Sequence, residues 1–98
     1  MSKTPEAKVK AQVDKILKDL GAYSCKPLTG GYGASGVPDI LACVRGRFVG
    51  IECKAGGNRP TALQEYNLAQ IKRAGGIALV VDEFNVHQLS LMIQENMK

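Results

Sequence analysis

Residues 36–54, GVPDILACVRGRFVGIECK, constrain this chain more than any other stretch. They contain two apolar runs, 37–44 and 47–53, separated by a short Gly-containing turn, and this pattern predicts a β-hairpin. Asp39 lies at the start of the first strand, and Glu52 and Lys54 lie at the end of the second. Because the start of one hairpin strand faces the end of the other, we expect these three side chains to lie together.

This cluster of charges predicts either a metal site or an ion pair. Removing a charge from water into a mostly apolar sheet costs on the order of several kcal/mol per ion, unless partners compensate. Two carboxylates with a backbone carbonyl suit a hard divalent cation, Mg²⁺ or Mn²⁺. A cross-strand ion pair is the alternative that the spacing alone leaves open.

The size and charge of the chain limit its class without fixing a function. Its 98 residues predict one domain, 1–98, whose small core would gain from dimerisation. Thirteen Lys and Arg against nine Asp and Glu give a net charge of +4, which permits a polyanionic partner such as DNA but does not require one.

The cysteines and the hydropathy pattern predict a soluble, cytoplasmic protein with no membrane partner. Three cysteines without C-x-x-C spacing argue against a disulfide framework or a zinc site, and they predict buried thiols in a reducing compartment. No long apolar segment suggests a signal peptide or a membrane span.

The order of the remaining elements predicts an α/β fold. A helix capped by Thr4 and closed by Gly21 precedes an edge-type strand at 22–28, and the hairpin follows. A helix at 61–74, an apolar strand at 77–81 and a helix at 85–97 complete the chain. The prediction is helix, three strands, helix, strand, helix, with a mixed sheet flanked by helices.

Two polar residues on the predicted helices are further site candidates. Glu6 projects on the side of Val13 and Leu17, so it either faces a cleft or interacts with the positive end of the helix dipole. Gln64 completes a capping-box pattern with Thr61, yet helical projection also places it toward the sheet and its carboxylates. Both alternatives stay open for each residue.

Several residues are candidates for contact with a nucleic acid. Tyr32, in the Gly-rich loop 29–36, is a candidate stacking platform, and this loop lacks the Gly-Lys-Ser/Thr ending of a phosphate-binding P-loop. Arg59, Lys72 and Arg73 place positive charge at the two ends of the second long helix, where they could contact phosphates. The lysines of the first helix, Lys10 among them, are expected mostly on a solvated face, and His87 is expected at the surface.

Pro38-Asp39 and Glu52-x-Lys54 in this hairpin resemble the motif of the PD-(D/E)XK nuclease superfamily. More narrowly, the chain resembles a stand-alone virus-type replication-repair nuclease domain, VRR-NUC. The resemblance covers nearly the whole chain, from about residue 6 to residue 81. The features that match are collected in four places: GVPD at 36–39, ECK at 52–54, Arg59-Pro60-Thr61 to Gln64, and Gly75-Gly76 before an apolar strand.

The resemblance implies a restriction-endonuclease-like core and a role for each matching residue. Asp39 and Glu52 would bind Mg²⁺ or Mn²⁺ with the backbone carbonyl of Cys53, and Lys54 would orient or deprotonate the attacking water. Glu6 would match an acid of the first helix, and Gln64 the polar residue that follows the motif. These five side-chain positions, Glu6, Asp39, Glu52, Lys54 and Gln64, are the expected catalytic set.

The activity that this resemblance implies is metal-dependent hydrolysis of DNA. Short bacterial or phage members act as homodimeric endonucleases on branched DNA, such as four-way (Holliday) junctions, in DNA repair. Two alternatives remain at this point: a DNA-binding module without catalysis, and a restriction-type endonuclease that reads sequence.

Overall fold

The computed structural model describes residues 4–28 and 36–98. These residues form, in order, α1 (Pro5–Asp19), β1 (Tyr23–Cys25), β2 (Ile40–Val44), β3 (Arg47–Cys53), α2 (Ala62–Arg73), β4 (Ile77–Val81), a 3-10 turn (Val86–Gln88) and α3 (Leu89–Asn96). The predicted order of elements is confirmed. Within these two ranges, no helix is both long and apolar enough to cross a membrane.

The strands of the described chain form one mixed sheet in the order β1-β2-β3-β4. The first three pair antiparallel, whereas β3 and β4 are parallel and α2 is the crossover between them. Parallel neighbours require such a crossover, since their connection must return to the starting edge. The mixed sheet expected from the sequence is confirmed, and β1 is an edge strand as expected, although it spans only Tyr23–Cys25 of the predicted range 22–28.

A two-residue turn fixes the register between β2 and β3. Arg45 has φ 50° and Gly46 has φ 80°, and positive φ at both positions is what a type I′ hairpin turn requires. The register then pairs Val44 with Arg47 at one end and Ile40 with Ile51 at the other. Asp39 and Glu52, one step further along, therefore face one another at the open end of the hairpin.

One face of the sheet packs on α1 and α3 to make the hydrophobic core. α1 begins at Thr4, whose hydroxyl oxygen accepts a hydrogen bond from the Ala7 N–H at 3.1 Å. The apolar residues of the two helices and of the inward sheet face are fully or almost fully buried: Val9, Val13, Leu17, Leu89, Ile93, Ile40, Ala42, Val44, Val49, Ile51, Cys53, Ile77 and Val81.

The opposite face is covered by α2 only over β3 and β4. A Cβ at Gly50 would lie 2.6 Å from Ile71 Cδ1, so the absence of a side chain there lets α2 approach β3 closely. The outer face of β1 and β2 lies beyond this helix, and its thiols, Cys25 and Cys43, are exposed. The expectation of buried cysteines is therefore wrong for these two, and it holds for Cys53 alone.

Candidate functional site

Asp39 and Glu52 meet at the end of the hairpin, as the register requires. Asp39 Oδ2 accepts a hydrogen bond from the backbone N–H of Cys53 at 2.9 Å. This bond ties the start of β2 to the end of β3 and holds the Asp39 carboxylate beside the strand that carries Glu52. The strand pairing confirms the prediction that these two residues lie side by side.

The Glu52 carboxylate is buried, and one of its oxygens is unsatisfied. Only 2% of the residue is exposed, and Oε1 has no hydrogen-bond partner in the described part of the chain. Burial, reinforced by the negative charge of Asp39, raises the pKa of the Glu52 carboxyl from 4.5 to about 6, and Lys54 acts in the opposite direction. A buried, unpartnered carboxylate oxygen is costly, so it is a donor atom suited to a cation.

Lys54 is the positive partner of this carboxylate. Its Nζ lies 3.3 Å from Glu52 Oε2, and 14% of its side chain is exposed. The Lys54 N–H donates to the Val81 carbonyl at 2.9 Å, which anchors the residue just beyond β3 against the end of β4. The ammonium group is thereby held next to the Glu52 carboxylate, as the sequence predicts for that pair.

Lys10 of α1 also reaches the site, contrary to the expectation of a solvated face. Its Nζ lies 3.6 Å from Asp39 Oδ1 and 3.6 Å from Glu6 Oε2. Burial lowers the pKa of Lys10, but the charges of Asp39 and Glu6 outweigh it, so the pKa lies above its ordinary 10.5. Glu6 is thus connected to Asp39 through Lys10, and its own side chain is 41% exposed.

Gln64 takes part in the capping box of α2. Its Oε1 accepts from the Thr61 N–H at 2.9 Å, and the Thr61 hydroxyl oxygen accepts from the Gln64 N–H at 3.2 Å. The capping interpretation is confirmed, since both reciprocal bonds are present. The amide oxygen that a catalytic role would use is engaged by the backbone of the helix start.

Cys53 contributes its backbone, while its thiol belongs to the core. The residue is fully buried, and burial, with the charge of Asp39, raises the pKa of the thiol to about 12. The neutral thiol packs among the apolar residues on the α1 side of the sheet. A role as metal ligand would therefore fall to the carbonyl oxygen, as expected.

The predicted DNA-contacting residues fall in different places. Arg59 and Lys72 line one groove of about 590 Å³ between α2 and β4, which also contains Glu65 and Asp82. Arg73 lines a separate groove of about 470 Å³ on α2. Tyr32 lies outside the described residues.

The donor set of the site fits a hard divalent cation held by few protein ligands. Across residues 4–28 and 36–98, no group of three or more His, Cys, Asp or Glu side chains is gathered that could hold a metal ion. Asp39 and Glu52 supply two carboxylates, with Glu52 Oε1 unpartnered and buried. Mg²⁺ commonly binds in this way, through one or two carboxylates with water and substrate phosphate as further ligands.

The comparisons with known proteins identify the fold. No protein-family model matches the sequence, and neither does any curated protein. A solved structure of a VRR_NUC domain superposes with a TM-score of 0.76 over 91% of this chain and 97% of that one, at 24% sequence identity. The chain therefore has the fold of a VRR_NUC domain, as the sequence motifs predict.

Proposed function

We propose that this protein is a nuclease that uses Mg²⁺ or Mn²⁺ to hydrolyse phosphodiester bonds in DNA. The observation that carries the proposal is the buried Glu52 carboxylate, whose Oε1 is unpartnered beside Asp39 and Lys54. The fold of a VRR_NUC domain supports a nuclease over other uses of the same donor set. A protein that only binds DNA has no evident need for two carboxylates where phosphate must approach.

Asp39, Glu52 and the Cys53 carbonyl would hold the cation. When bound, a divalent cation supplies a water of lowered pKa and offsets the negative charge that develops on the phosphate. The Cys53 N–H holds Asp39 by its Oδ2 atom, so the carboxylate is fixed before substrate binds. Such prior positioning removes reorganisation from the reaction itself.

Lys54 is placed to act on the attacking water. Its ammonium group lies 3.3 Å from Glu52 Oε2, at the same end of β3 as the proposed cation site. There the ammonium can orient a water toward the scissile phosphorus, whereas accepting the proton of that water would require the neutral amine. Lys10, held by Asp39 and Glu6, adds positive charge on the α1 side, where a phosphate oxygen of the substrate would be attracted.

The substrate we propose is branched DNA, such as four-way junctions, cut by a homodimer. The net charge of +4 and the placement of Arg59 and Lys72 in one groove support contact with phosphates. A monomer of this size has little surface with which to read a long sequence, whereas a twofold dimer places two sites on two strands.

A cleavage panel tests the proposal. We expect the protein to cut labelled four-way junctions in Mg²⁺ or Mn²⁺ but not in EDTA, with flaps, duplexes and single strands as comparison substrates. Asp39→Asn and Glu52→Gln should abolish cutting, whereas Glu95→Gln, an exposed acid of α3, should not. Circular dichroism checks that each variant is folded, and analytical ultracentrifugation gives the oligomeric state.

Two outcomes would overturn the proposal. Undiminished cleavage by both acid variants would remove the metal site from the mechanism. DNA binding without product in either metal, across the whole panel, would favour a DNA-binding module without catalysis.

A further inference from the structure

The outer face of β1 and β2 carries an open apolar groove that the nuclease chemistry does not use. Tyr23 on β1 pairs with Cys43 on β2, and Cys43 pairs with Phe48 on β3, so the three residues form one row across the sheet. Tyr23 is 78% exposed and Phe48 is 46% exposed. The groove has a volume of about 200 Å³, and its walls come from this row and its neighbours: Tyr23, Cys25, Leu41, Ala42, Cys43 and Phe48.

Two aromatic side chains therefore stand on either side of a small one. The neighbouring strands of a sheet are about 4.8 Å apart, so the backbone positions of Tyr23 and Phe48 are separated by about 10 Å. Cys43 lies between them and is short enough to leave the intervening space open. Flat aromatic groups can be accommodated there against either ring.

An exposed arginine beside this face favours an anionic occupant. Residues 21–26 and 40–51 contain Lys26, Arg45 and Arg47 but no Asp or Glu. Lys26 is paired with Asp14, and Arg47 Nε donates to the Gly75 carbonyl at 2.8 Å, whereas Arg45 is exposed in the hairpin turn next to the row. Aromatic side chains beside cations are the combination that binds unpaired nucleic-acid strands, since bases stack and phosphates are attracted.

The groove lies on the same face of the sheet as the Glu52 side chain. Phe48 and Glu52 lie on the same side of β3, four residues apart, which corresponds to about 13 Å along a strand. Leu41 of β2 lies in the groove, two residues after Asp39 in sequence. Ile71 of α2 and Pro38 pack over Gly50, between the groove and Glu52 on this face of β3.

We infer that this face binds an unpaired strand of the DNA substrate, with bases stacked on Tyr23 and Phe48. The inference rests on the proposed function, because the bound strand belongs to the DNA that the site cuts. It adds to that function a preference for branched DNA that carries a single-stranded segment near the scissile phosphate. Flaps and splayed arms contain such a segment, whereas a duplex and a fully paired four-way junction do not.

Binding without metal tests the inference apart from cleavage. Fluorescence anisotropy with a short labelled oligodeoxythymidylate in EDTA measures affinity while hydrolysis is prevented. We expect Tyr23→Ala and Phe48→Ala each to weaken binding about tenfold, the scale of one lost base stack. Phe84→Ala is the matched control, because Phe84 is 76% exposed but lies outside the groove, and its binding should be unchanged.

A second substitution separates stacking from plain apolar contact. Tyr23→Leu keeps an apolar side chain but removes the aromatic face, so we expect it to weaken binding as much as Tyr23→Ala. The native thiols give an independent readout, since Cys25 and Cys43 line the groove. Bound oligonucleotide should slow their alkylation by N-ethylmaleimide, measured by mass spectrometry of the intact and digested protein.

Three results would overturn the inference. One is the absence of oligonucleotide binding by the wild-type protein, and another is equal affinity of the Tyr23, Phe48 and Phe84 variants. The third is that the substitutions change the sedimentation of the free protein and leave its DNA affinity intact. The groove would then be an interface between two copies of the chain. Cleavage of duplexes and junctions is assayed in parallel to keep the proposed nuclease activity distinct from strand binding. If the protein cuts DNA but does not bind the oligonucleotide, only the strand-binding inference is rejected.

Discussion

Lys54 Nζ lies 3.3 Å from Glu52 Oε2, while the second oxygen of the same carboxylate has no hydrogen-bond partner in the described residues. The carboxylate is therefore half satisfied by the protein, although it is almost fully buried. An isolated ion pair would gain from satisfying both oxygens, because each unpartnered buried polar atom costs about 1–3 kcal/mol. The arrangement is better suited to a site that binds a cation.

Metal-free stability should fall as pH rises, because of Glu52. Its pKa is raised from 4.5 to about 6 in the folded protein, so between these values the folded state binds more protons than the unfolded state. The ionised carboxylate then lowers the free energy of unfolding by up to about 2 kcal/mol above pH 6. Glu52→Gln should remove this loss. Urea denaturation in EDTA, below pH 4.5 and above pH 6, measures the free energy of unfolding of both proteins. A difference between wild type and variant that does not change with pH would contradict the prediction.

Divalent metal should stabilise the wild-type protein against heat. A ligand that binds only the folded state at 100 times its Kd adds about 2.7 kcal/mol. We expect Mg²⁺ or Mn²⁺ to raise Tm, with a smaller effect below pH 6, where protonation of Glu52 competes with the cation. Asp39→Asn and Glu52→Gln should remove the shift and Glu95→Gln should retain it, as measured by differential scanning fluorimetry. An equal shift in all four proteins would place the metal elsewhere.

Lys54→Met should slow cleavage and move its pH dependence. Loss of a group that orients or deprotonates water costs about 10²–10⁴-fold in rate. Lys54 also lowers the pKa of Glu52 through its charge and hydrogen bond, so removing it should shift the acidic limb of the pH–rate profile to higher pH. Single-turnover cleavage across pH measures both effects. Lys15→Met, an exposed lysine of α1, is the control, and a rate loss without any change in the profile would contradict the expected coupling.

Lys10→Met should strengthen metal binding. The Lys10 ammonium lies 3.6 Å from Asp39 Oδ1 and repels a cation at the same carboxylate. Two unit charges about 4 Å apart interact by about 1 kcal/mol in water, so we expect about fivefold tighter binding. Isothermal titration calorimetry with Mn²⁺ measures the affinity, and Lys10→Arg, which keeps the charge, should behave as wild type. Weaker binding by Lys10→Met would show that Lys10 chiefly holds Asp39 in position.

Two of the three thiols should react in the folded protein. Cys25 and Cys43 are exposed, whereas Cys53 is buried. Burial raises the pKa of Cys53 to about 12, which keeps it a neutral and unreactive thiol at ordinary pH. Titration with Ellman's reagent before and after denaturation in urea should count two thiols and then three. Reaction of all three in the native protein would contradict the packing of β3 on α1.

The hairpin and its carboxylates could be predicted from the sequence because they depend on local pattern. Two apolar runs, a turn and side-chain alternation are sufficient to bring Asp39 opposite Glu52. The capping box at Thr61 is local in the same way. These features need no knowledge of how the helices dock.

What the sequence did not predict depends on that docking. Lys10 reaches Asp39 only because α1 packs across the sheet, and its spacing of four residues from Glu6 gave the one available sign of a paired lysine. Cys25 and Cys43 have the residue type of a buried strand, yet they are exposed because α2 covers β3 and β4 alone. The periodicity of a single strand does not show where α1 packs on the sheet or how many strands α2 covers.

The two-residue turn at Arg45 and Gly46 has a consequence for how this protein can vary. Asp39 and Cys53 are joined across only 14 positions, so the whole acidic pair is built from contacts of low sequence separation. A longer turn that absorbs an inserted residue would keep this pairing, whereas a slip of the pairing by one step would rotate Glu52 from the α2 side into the hydrophobic core. Such a slip would remove the proposed metal site without altering any residue in it.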